Sequence, residues 1–385
     1  MKIIIDARTV FAKARRGTGK NLVDLYAQIE QKRPNWDIEF CYSKGFDSYG
    51  SDLNFKRIKL SPMLDVGNRF KLWQDYFFPL RGKLKGANIL HCPAQTSPKL
   101  IGSPTIVTIH DIIPLRMDDG MPEAEKQVLE NNIKHSLNKA KAIITVSQYS
   151  KNDILDYFGQ QYEDKIKVVH WAPEGKLLSP PTQETQNKVL QEYKLLNGQD
   201  FVQNGQPPPF FFSLGAASPR KNTEKLLKAF AAFCEINKEW KLLLGGIQEG
   251  AKAKFAQQIE ALGLSDRVSL NGFLPEAHMP QLYFACDAFI FPSLYEGFGL
   301  PVIDAFASNS PLIVSNVTSL PEVAGDAAMF FDPESVESMA SSFVEVAASE
   351  TLRQSMIEAG HKRLEQFSWN NTANQVIEIF EQVSQ

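Results

Sequence analysis

The chain has 385 residues, of which 43% are hydrophobic and 22% are charged, and its formal net charge is −3. This length exceeds one ordinary core and favours two domains of roughly 150–200 residues each, while the composition is typical of a soluble globular protein. The small negative charge argues against a nucleic-acid-binding protein, because such proteins usually carry a strongly basic face.

The N-terminus and the cysteines favour a cytoplasmic protein. The opening MKIIIDARTV lacks the uninterrupted apolar run of a secretory signal, and no stretch reaches the ~18 apolar residues of a membrane span. The cysteines are scattered and show neither metal-ligand spacing nor a disulfide framework: Cys41, Cys92, Cys234 and Cys286. This usage fits buried thiols in a reducing compartment.

The first part of the chain alternates between strand and helix patterns. Short β-branched runs predict strands at 2–5, 88–91, 105–109, 142–146 and 166–169. After Gly17-Thr-Gly19-Lys20, apolar residues recur at the helical spacing of Leu22, Leu25, Tyr26 and Ile29, and Ser147 suits the N-cap of a later helix. This order predicts βαβ units, a mostly parallel sheet and an N-terminal Rossmann-like domain over 1–175.

The alternation restarts after a proline-rich stretch. Residues 176–209 carry SPP and PPP runs and are interpreted as an interdomain linker, because a rigid proline run cannot join the interior of a sheet. Strand patterns at 210–214, 241–244, 267–270, 288–291 and 312–315, with a helix at 223–236, predict a second Rossmann-like domain over 210–368. Residues 369–385 again have a helical apolar stripe.

The segment SLYEGFGLPVIDAFA carries two carboxylates on either side of a tight turn. Ligands of open parallel sheets bind beyond the carboxyl ends of the strands, and this turn follows the predicted strand at 288–291. Gly297 and Gly299 allow backbone N–H groups to approach an anion at the positive end of the following helix. Glu296 and Asp304 can then face one pocket at different depths. The alternative is a solvated Glu296 and an Asp304 that only favours the helix N-terminus.

Three further places can bind an anion or a ligand. Arg220 and Lys221 precede a helix that Asn222 or Thr223 can cap. Two positive charges at the N-terminus of a helix are unfavourable for its dipole unless a bound anion compensates them. The alternative is an ordinary exposed basic pair. His110 ends a predicted strand and either binds a ligand or satisfies a neighbouring carbonyl. Gly17 and Gly19 precede a helix and form either a phosphate cradle or a flexible loop.

Known nucleotide-binding signatures are missing from these segments. Neither glycine cluster completes G-x-G-x-x-G, because Leu22 and Val302 occupy the place of the third glycine. The chain also lacks a Walker A sequence and any Asp-x-Asp that would hold a metal–diphosphate complex. The residues therefore favour a metal-independent diphosphate site bounded by carboxylates that bind hydroxyls, with no cofactor beyond the substrate.

These segments resemble a known enzyme family. EGFGLPVIDAFA is similar to the Glu-x7-Glu signature of family 4 retaining glycosyltransferases, which adopt the GT-B fold. GTGKN, TIHDIIPL, VSQYSKNDI, GAASPRKN, FPSLYEGFGLP and SLPEVAGDAAMFFDP resemble other family segments, in family order, across nearly the whole chain. TIHDIIPL and RKN resemble the branch with bacterial polysaccharide mannosyltransferases. The resemblance implies two Rossmann-like domains facing a cleft, with the helix at 369–385 completing the N-terminal, acceptor-side domain.

The resemblance also implies roles for individual residues. Arg220 and Lys221 would neutralise the diphosphate of a nucleotide sugar, Glu296 would bind hydroxyls of the transferred sugar, and His110 would lie near its reacting face. The amides of Phe298, Gly299 and Leu300 would contact sugar or phosphate, and Gly17 and Gly19 would close over the phosphates. Leu274 matches the nucleobase seat. Asp304 replaces the second Glu, which holds the ribose, and is shorter by roughly 1.3–1.5 Å.

The implied reaction is a retaining, metal-independent hexosyl transfer to a glycan or lipid-linked acceptor in polysaccharide biosynthesis. Mannose from GDP-mannose is the first expectation and glucose from UDP-glucose the second. Front-face substitution, in which the leaving diphosphate takes the acceptor proton, would need electrostatic support and exact placement from the protein. Two alternatives stay open: a GT-B sugar-nucleotide epimerase and a non-catalytic partner subunit that only binds the nucleotide sugar.

Segment 69–85 has two interpretations. It combines five basic residues with five aromatic residues, so it can rest on the inner face of an anionic membrane and meet a lipid-linked acceptor there. The alternative, which we favour, is a helix that buries its aromatic residues in the N-terminal domain.

Overall fold

The computed structural model describes residues 1–10, 17–43, 59–63, 72–100, 102–193 and 208–385. The chain divides into two compact units. Unit 1 comprises Met1–Met117, Met121–Ala172 and Phe367–Gln385, and unit 2 comprises Asp118–Gly120 and Pro173–Gln366.

Unit 1 is built on a seven-stranded sheet in the order β3-β2-β1-β4-β5-β6-β7. All of its pairings are parallel. The central strands are buried along their whole length, as expected where helices cover both faces of a parallel sheet. The strands are β1 (Lys2–Asp6), β2 (Asp37–Ser43), β3 (Lys59–Met63), β4 (Ile89–Cys92), β5 (Thr105–Thr108), β6 (Ala142–Thr145) and β7 (Ile166–Val168).

Helices connect these strands. Ser147 caps its helix, because its side chain accepts a hydrogen bond of 2.9 Å from the N–H of Ser150. A π-helical turn (Trp73–Phe77) leads directly into the second helix, and a 3₁₀ turn (Gln160–Lys165) precedes β7. The helices are α1 (Gly17–Lys32), α2 (Phe78–Leu84), α3 (Ile113–Arg116), α4 (Glu123–Lys139) and α5 (Gln148–Phe158).

Unit 2 has a six-stranded parallel sheet in the order β10-β9-β8-β11-β12-β13. Its strands are β8 (Phe210–Leu214), β9 (Lys241–Gly245), β10 (Val268–Leu270), β11 (Ala288–Phe291), β12 (Leu312–Ser315) and β13 (Met329–Phe331). Its helices are α6 (Gln183–Glu192), α7 (Thr223–Ile236), α8 (Glu249–Ala261), α9 (Met279–Ala285), α10 (Leu300–Ala307), α11 (Leu320–Ala324), α12 (Val336–Ala348) and α13 (Glu350–Leu364). On one sheet face, Phe211 packs among the rings of Phe230, Phe233 and Trp240.

The last helix, α14 (Trp369–Ser384), belongs to unit 1. It packs beside α1, and Phe380 lies between the rings of Trp36 and His91 at centroid distances of 6.4 and 5.5 Å. Arg33 forms an ion pair of 3.0 Å with Glu381. Unit 1 is therefore assembled from segments that lie at both ends of the sequence.

The structure corrects the interpretation of 176–209 as a linker. Helix α6 lies within this segment and packs against α9, because Val189 and Leu190 form a buried apolar face. The carbonyl of Tyr193 accepts a hydrogen bond of 2.6 Å from the Ser269 hydroxyl. The described part of the segment thus belongs to unit 2, and 194–207 lie outside the described residues.

The predicted α/β class with two parallel sheets is confirmed. The strands proposed from β-branched runs are present, with ends that agree to within about two residues, and the helix at 223–236 is α7. Three strands were missed, namely β2, β3 and β13. Among the described residues, no helix is both long and apolar enough to span a bilayer.

Buried polar groups inside unit 1 form a small network around His91. This residue is 1% exposed, with Nδ1 2.6 Å from the Tyr26 hydroxyl and Nε2 3.0 Å from the Thr108 hydroxyl. Burial, with a contribution from His110, lowers the pKa of His91 to about 3. The imidazole is therefore neutral at physiological pH. The four cysteines are also buried and free, and burial raises the pKa of each thiol.

Candidate active site

Two loops at the carboxyl ends of β8 and β11 bring together three of the predicted site residues of unit 2, namely Arg220, Lys221 and Glu296. These strands are neighbours in the sheet, so the segments that follow them leave at the same edge. The backbone N–H of Leu294 in the second loop donates a hydrogen bond of 2.8 Å to the carbonyl of Arg220 in the first.

Asn222 shapes the first loop. Its backbone is left-handed, with φ 55°, and it joins the 3₁₀ turn Pro219–Lys221 to the start of α7. Its side-chain amide donates to the carbonyl of Pro333 at 2.9 Å instead of capping the helix. Asparagine tolerates this conformation better than most residues. The turn therefore presents Arg220 and Lys221 just ahead of α7.

Glu296 pairs with both cations. Its Oε1 lies 2.7 Å from Nη1 of Arg220 and 2.7 Å from Nζ of Lys221, and its side chain is 13% exposed. Burial alone would raise the pKa of Glu296, but the attraction of Lys221 and Arg220 outweighs it and holds that pKa below its ordinary value. Lys221 Nζ also lies 4.7 Å from the centroid of the Phe291 ring. The cluster is thus an ionised, largely desolvated triad.

Arg220 has a second acidic neighbour that the sequence did not indicate. Oδ2 of Asp119 lies 3.7 Å from Nε of Arg220, and the other carboxylate oxygen of Asp119 accepts a hydrogen bond from the Ser218 hydroxyl. Nη1 of Arg220 donates to the carbonyl of Tyr295 at 3.0 Å. Nε is buried and makes no hydrogen bond in the described residues, and the Asp119 carboxylate is its nearest ionic partner. No spacing signal connects positions 119 and 220.

The turn before α10 depends on Gly299. Its φ is 98°, and a Cβ added there would lie 2.8 Å from Cδ2 of Leu320. Only glycine meets both conditions without strain. Within the described residues, the backbone N–H groups of Gly299 and Leu300 make no hydrogen bond, so two donors lie at the positive end of α10. The Phe298 side chain is buried.

Thr318 and Ser319 hold the same turn from the next loop. The Thr318 hydroxyl accepts a hydrogen bond of 3.1 Å from the N–H of Glu296, and the Ser319 hydroxyl donates to the carbonyls of Glu296 and Phe298 at 2.9 and 3.1 Å. Ser319 is the first residue of the family-like segment SLPEVAGDAAMFFDP. That resemblance was the one feature of the sequence that could have pointed to its contact with the turn.

Asp304 and Leu274 occupy different settings. Asp304 is half-buried on α10. The pKa of the Tyr283 hydroxyl is raised mainly by burial and, to a smaller extent, by the negative charge of Asp304. Leu274 is buried with its side chain against the backbone of Gly245. The neighbouring Phe273, which the sequence did not single out, is 85% exposed.

The remaining predicted residues lie in unit 1. His110 follows β5, and its Nε2 lies 3.0 Å from the carbonyl of Pro93. A carbonyl can only accept, so Nε2 carries a proton. Burial lowers the pKa of His110 despite that bond, which leaves a neutral ring with Nδ1 as an acceptor. Gly17 and Gly19 lie in the first turn of α1 instead of in a loop before it, and residues 11–16 lie outside the described residues.

In the part of the chain that the structure describes, no group of three or more His, Cys, Asp or Glu side chains is arranged to hold a metal ion. The described charged groups of this site are the side chains of Arg220, Lys221, Glu296 and Asp119, together with the positive end of α10.

Two family models match the chain. The model described as "Glycosyltransferase Family 4" matches residues 38–172, and the model described as "Glycosyl transferases group 1" matches residues 199–363. Together they span most of both units.

Curated relatives and solved structures agree with these matches. The chain is 30% identical over 276 residues to the O-antigen chain mannosyltransferase B of Escherichia coli, an overlap of 71% of this chain and 69% of the relative. It is 27% identical to the serotype-specific mannosyltransferase WbdA of Escherichia coli over 73% of this chain, but spans only 34% of that protein.

The structure of Anabaena Alr3699/HepE in complex with UDP superposes with a TM-score of 0.75 at 18% identity, covering 99% of this chain and 100% of that chain. At this level of identity the likeness shows the fold, which is GT-B. With the family matches and the overlap with a mannosyltransferase, it follows that the chain belongs to glycosyltransferase family 4 and is a glycosyltransferase of the GT-B fold.

Proposed function

We propose that the protein transfers a hexose from a nucleotide-diphospho-sugar to a glycan or lipid-linked acceptor in polysaccharide biosynthesis, with retention of configuration. Mannose from GDP-mannose is the first candidate and glucose from UDP-glucose the second. The observation that carries this proposal is the triad of Arg220, Lys221 and Glu296, in which both cations share one carboxylate oxygen at 2.7 Å.

The triad suits a diphosphate because its two cations are fixed in position, and Glu296 pairs with them while no ligand is bound. In the free protein Glu296 neutralises part of the charge of Arg220 and Lys221. A bound diphosphate carries more negative charge than one carboxylate and offers several acceptor oxygens, so it can engage both cations at once. Glu296 is then available to accept hydrogen bonds from hydroxyls of the transferred sugar.

Backbone groups complete the proposed donor site. The N–H groups of Gly299 and Leu300, and the backbone of Phe298, are assigned to the diphosphate or the sugar, because they lie at the positive end of α10. Asp304, half-buried further along α10, is assigned to the ribose. Leu274 is assigned to the nucleobase, with the exposed ring of Phe273 beside it.

Three residues of unit 1 keep the roles that their family positions imply. We assign His110 to a hydroxyl of the transferred sugar, with its Nδ1 as acceptor because Nε2 is held by Pro93. Gly17 and Gly19 are assigned to the phosphates through the N-terminal turn of α1, in which Gly17 is half-buried and Gly19 is buried.

In the proposed reaction the acceptor hydroxyl oxygen forms a bond to the anomeric carbon on the face from which the diphosphate leaves. The bond from that carbon to the phosphate oxygen breaks, and the acceptor proton passes to a leaving phosphate oxygen. The cations of Arg220 and Lys221 stabilise the charge that develops on this oxygen, and electrostatic stabilisation of this kind is usually the largest single contribution to catalysis. The proposal involves no cofactor and no metal ion.

The relatives support hexosyl transfer over the alternatives. Two of the curated relatives, from Escherichia coli and Salmonella typhimurium, are O-antigen chain mannosyltransferases, which favours transfer over epimerisation or a non-catalytic subunit. Mannosyl transfer is ranked first because of those names. UDP-glucose is kept second because the structure of Anabaena HepE contains UDP-glucose in one of its complexes.

We also propose that α2 and the π-helical turn before it rest on an anionic membrane. Trp73 and Phe78 are buried, as expected for an aromatic face packed on the domain. The opposite side nevertheless exposes apolar side chains at a spacing of four, with Lys83 and Lys85 nearby; these side chains are Leu72, Tyr76, Leu80 and Leu84. Such a face is typical of helices that lie in a membrane interface. Residues 69–71 lie outside the described residues.

A donor screen tests the proposed function. Thermal unfolding of the full chain is measured with GDP-mannose, UDP-glucose and an ADP-sugar, each over a range of concentrations, because a ligand that binds only the folded state raises Tm as its concentration exceeds Kd. We expect a clear shift with one sugar nucleotide, and release of the matching nucleoside diphosphate when a glycan acceptor is added. Lack of any shift across the panel would contradict the proposal.

A further inference from the structure

Unit 1 contains a polar cavity of about 280 Å³ that the proposed donor site does not use. Its walls come from the π-helical turn (Asp75), the loop after β4 (Ser97 and Lys99) and one face of α4. The volume is just below the ~300–1,000 Å³ range of small-molecule sites, so it is suited to one compact ligand unit.

The face of α4 in this cavity has an unusual composition. Val128, Asn131, Asn132 and His135 line the cavity and follow the i, i+3, i+4, i+7 spacing, which in an ordinary packed helix is occupied by apolar side chains. Here three of the four positions carry polar side chains that are able to form hydrogen bonds. The amides of Asn131 and Asn132 have no hydrogen-bond partner within the described residues.

Asp75 is the strongest indication of a ligand. It is 6% exposed, and its carboxylate makes no hydrogen bond or ion pair within the part of the chain that the structure describes, although its charge acts on Arg8. The residue is largely buried while its carboxylate opens into the cavity, so a ligand there that carries hydrogen-bond donors can pair with it. The π-helical turn that positions Asp75 is itself a rare element that often marks functional sites.

Hydrogen bonds fix the three walls relative to one another. The N–H of Leu100 donates to the carbonyl of Asp75 at 3.1 Å, and the N–H of Ser97 donates to the Ser136 hydroxyl on α4 at 2.9 Å. Nε2 of His135 lies 3.2 Å from the carbonyl of Pro98, which only accepts, so the ring is held as a donor there. The cavity is therefore preorganised.

The side chains that line the cavity exclude several classes of ligand. The Asp75 carboxylate repels a phosphate or carboxylate ligand, and Lys99 with a single carboxylate is unsuited to a metal cation. An apolar ligand would leave the amides unpaired. A polyol satisfies the set, because each hydroxyl donates and accepts, and carboxylate and amide groups provide the matching acceptors and donors.

We infer that this cavity is a saccharide-binding subsite that holds one sugar unit of the acceptor glycan through Asp75, Asn131 and Asn132. The inference rests on the proposed function for the identity of the saccharide as part of the acceptor. Val128, exposed at the cavity, gives the C–H face of the sugar an apolar contact.

Binding of α-linked mannotriose to the full chain, measured by isothermal titration calorimetry, tests the subsite. We expect wild-type Kd in the millimolar range or below and a loss of at least tenfold in Asn131→Ala/Asn132→Ala. Alanine is the best helix former, so this pair of substitutions keeps α4 intact. Gln127→Ala is the matched control, because it removes an exposed amide of the same helix that does not line the cavity, and it should bind as wild type does.

A second variant, Asp75→Asn, keeps the shape of the side chain and removes its charge, and it should weaken mannotriose binding at least fivefold if the carboxylate accepts sugar hydroxyls. Wild-type protein that binds no mannotriose, or a double variant that binds as Gln127→Ala does, overturns the inference.

Transfer assays separate this outcome from failure of the proposed function. With donor saturating, the double variant should raise the acceptor KM at least tenfold with little change in kcat, because it removes binding that is equal in the ground and transition states. If no nucleotide sugar is consumed but mannotriose binding is lost only in the double variant, the transfer proposal fails and the subsite stands. If transfer occurs with an unchanged acceptor KM, the subsite fails and the transfer proposal stands.

Discussion

Lys221 stands out among the site residues because it combines two environments. Its ammonium group lies 2.7 Å from a Glu296 oxygen and 4.7 Å from the centroid of the Phe291 ring, so it is held in place from two sides. A lysine held in this way can contribute charge to a transition state without first reorganising.

We expect Lys221→Ala to lower kcat about 10²–10³-fold, the usual effect of removing one preorganised electrostatic group. The fold should survive, because Arg220 still neutralises Glu296. Initial rates of nucleoside diphosphate release and thermal unfolding are the measurements. Lys225→Ala is the control, since this lysine lies one turn further along and pairs with Glu334 at the surface. Equal activity of the two variants would remove Lys221 from the mechanism.

At the residue scale, sequence patterns predicted the triad but not its setting. Arg220, Lys221 and Glu296 could be found because each belongs to a local motif at the end of a strand pattern. Asp119 could not, because it reaches Arg220 from a three-residue excursion, Asp118–Gly120, that joins unit 2 from a distant part of the chain. Such contacts depend on tertiary packing, so no local sequence pattern indicates them.

Among the elements, the turn into α10 is the most constrained by its backbone. Gly299→Ala should destabilise the protein by about 1–3 kcal/mol, because alanine disfavours φ 98° and its Cβ would contact Leu320. Urea unfolding measures this cost, and donor-induced thermal shifts should fall as well. Gly250→Ala is the matched control: it lies in α8 with nothing within 4 Å of the added Cβ, so equal or higher stability is expected. Equal stability of both variants would contradict the assigned role of Gly299.

The exposed stripe of α2 allows a test of membrane contact. Leu80→Glu/Leu84→Glu should abolish co-sedimentation of the full chain with vesicles that contain anionic phospholipid, since it places two negative charges on the apolar face. Ile236→Glu is the control, because Ile236 is also an exposed large apolar side chain but lies at the end of α7. Wild-type protein that stays in the supernatant with anionic vesicles would remove this proposal.

The strands that were predicted from the sequence are mainly those that are buried on both faces. Strands such as β8 and β11 are continuous apolar runs, because both of their faces are covered, and these were found with their full bounds. Strand β2, DIEFCYS, carries Asp37 and Glu39, which obscured it; in the structure Glu39 is buried and paired with Arg81. Strand β13, Met329–Phe331, was also missed, although β7 and β10 have the same length and were predicted.

For the molecule as a whole, buried histidine predicts acid sensitivity. The folded-state pKa of His91 is about 3 against an ordinary value of 6.5, so between these values the unfolded state binds a proton that the folded state does not. Stability is therefore fully retained above about pH 6.5 and is lost as the pH falls, by about 2 kcal/mol at pH 5 from this group. The pKa of the partly buried His110 is also lowered, so this residue acts in the same direction.

Urea unfolding at pH 7 and pH 5 measures this loss in wild type and in His91→Gln. The free energy of unfolding should change between pH 7 and pH 5 by about 2 kcal/mol less in His91→Gln than in wild type. Any pH-independent cost of the substitution cancels in this comparison. His361→Gln, at an exposed position on α13, is the control and should retain the wild-type difference. An unchanged difference in His91→Gln would show that His91 is not responsible.

The placement of α14 in unit 1 has a consequence for biosynthesis. As the ribosome makes the chain, the sheet of unit 1 emerges early, but the helix that packs against Trp36 and His91 is translated only after all of unit 2. Unit 2, encoded in between, can finish folding first, so the usual order in which the N-terminal domain matures before its successor is reversed. Until residues 367–385 leave the exit tunnel, the nascent protein carries an open apolar seam that a chaperone would recognise.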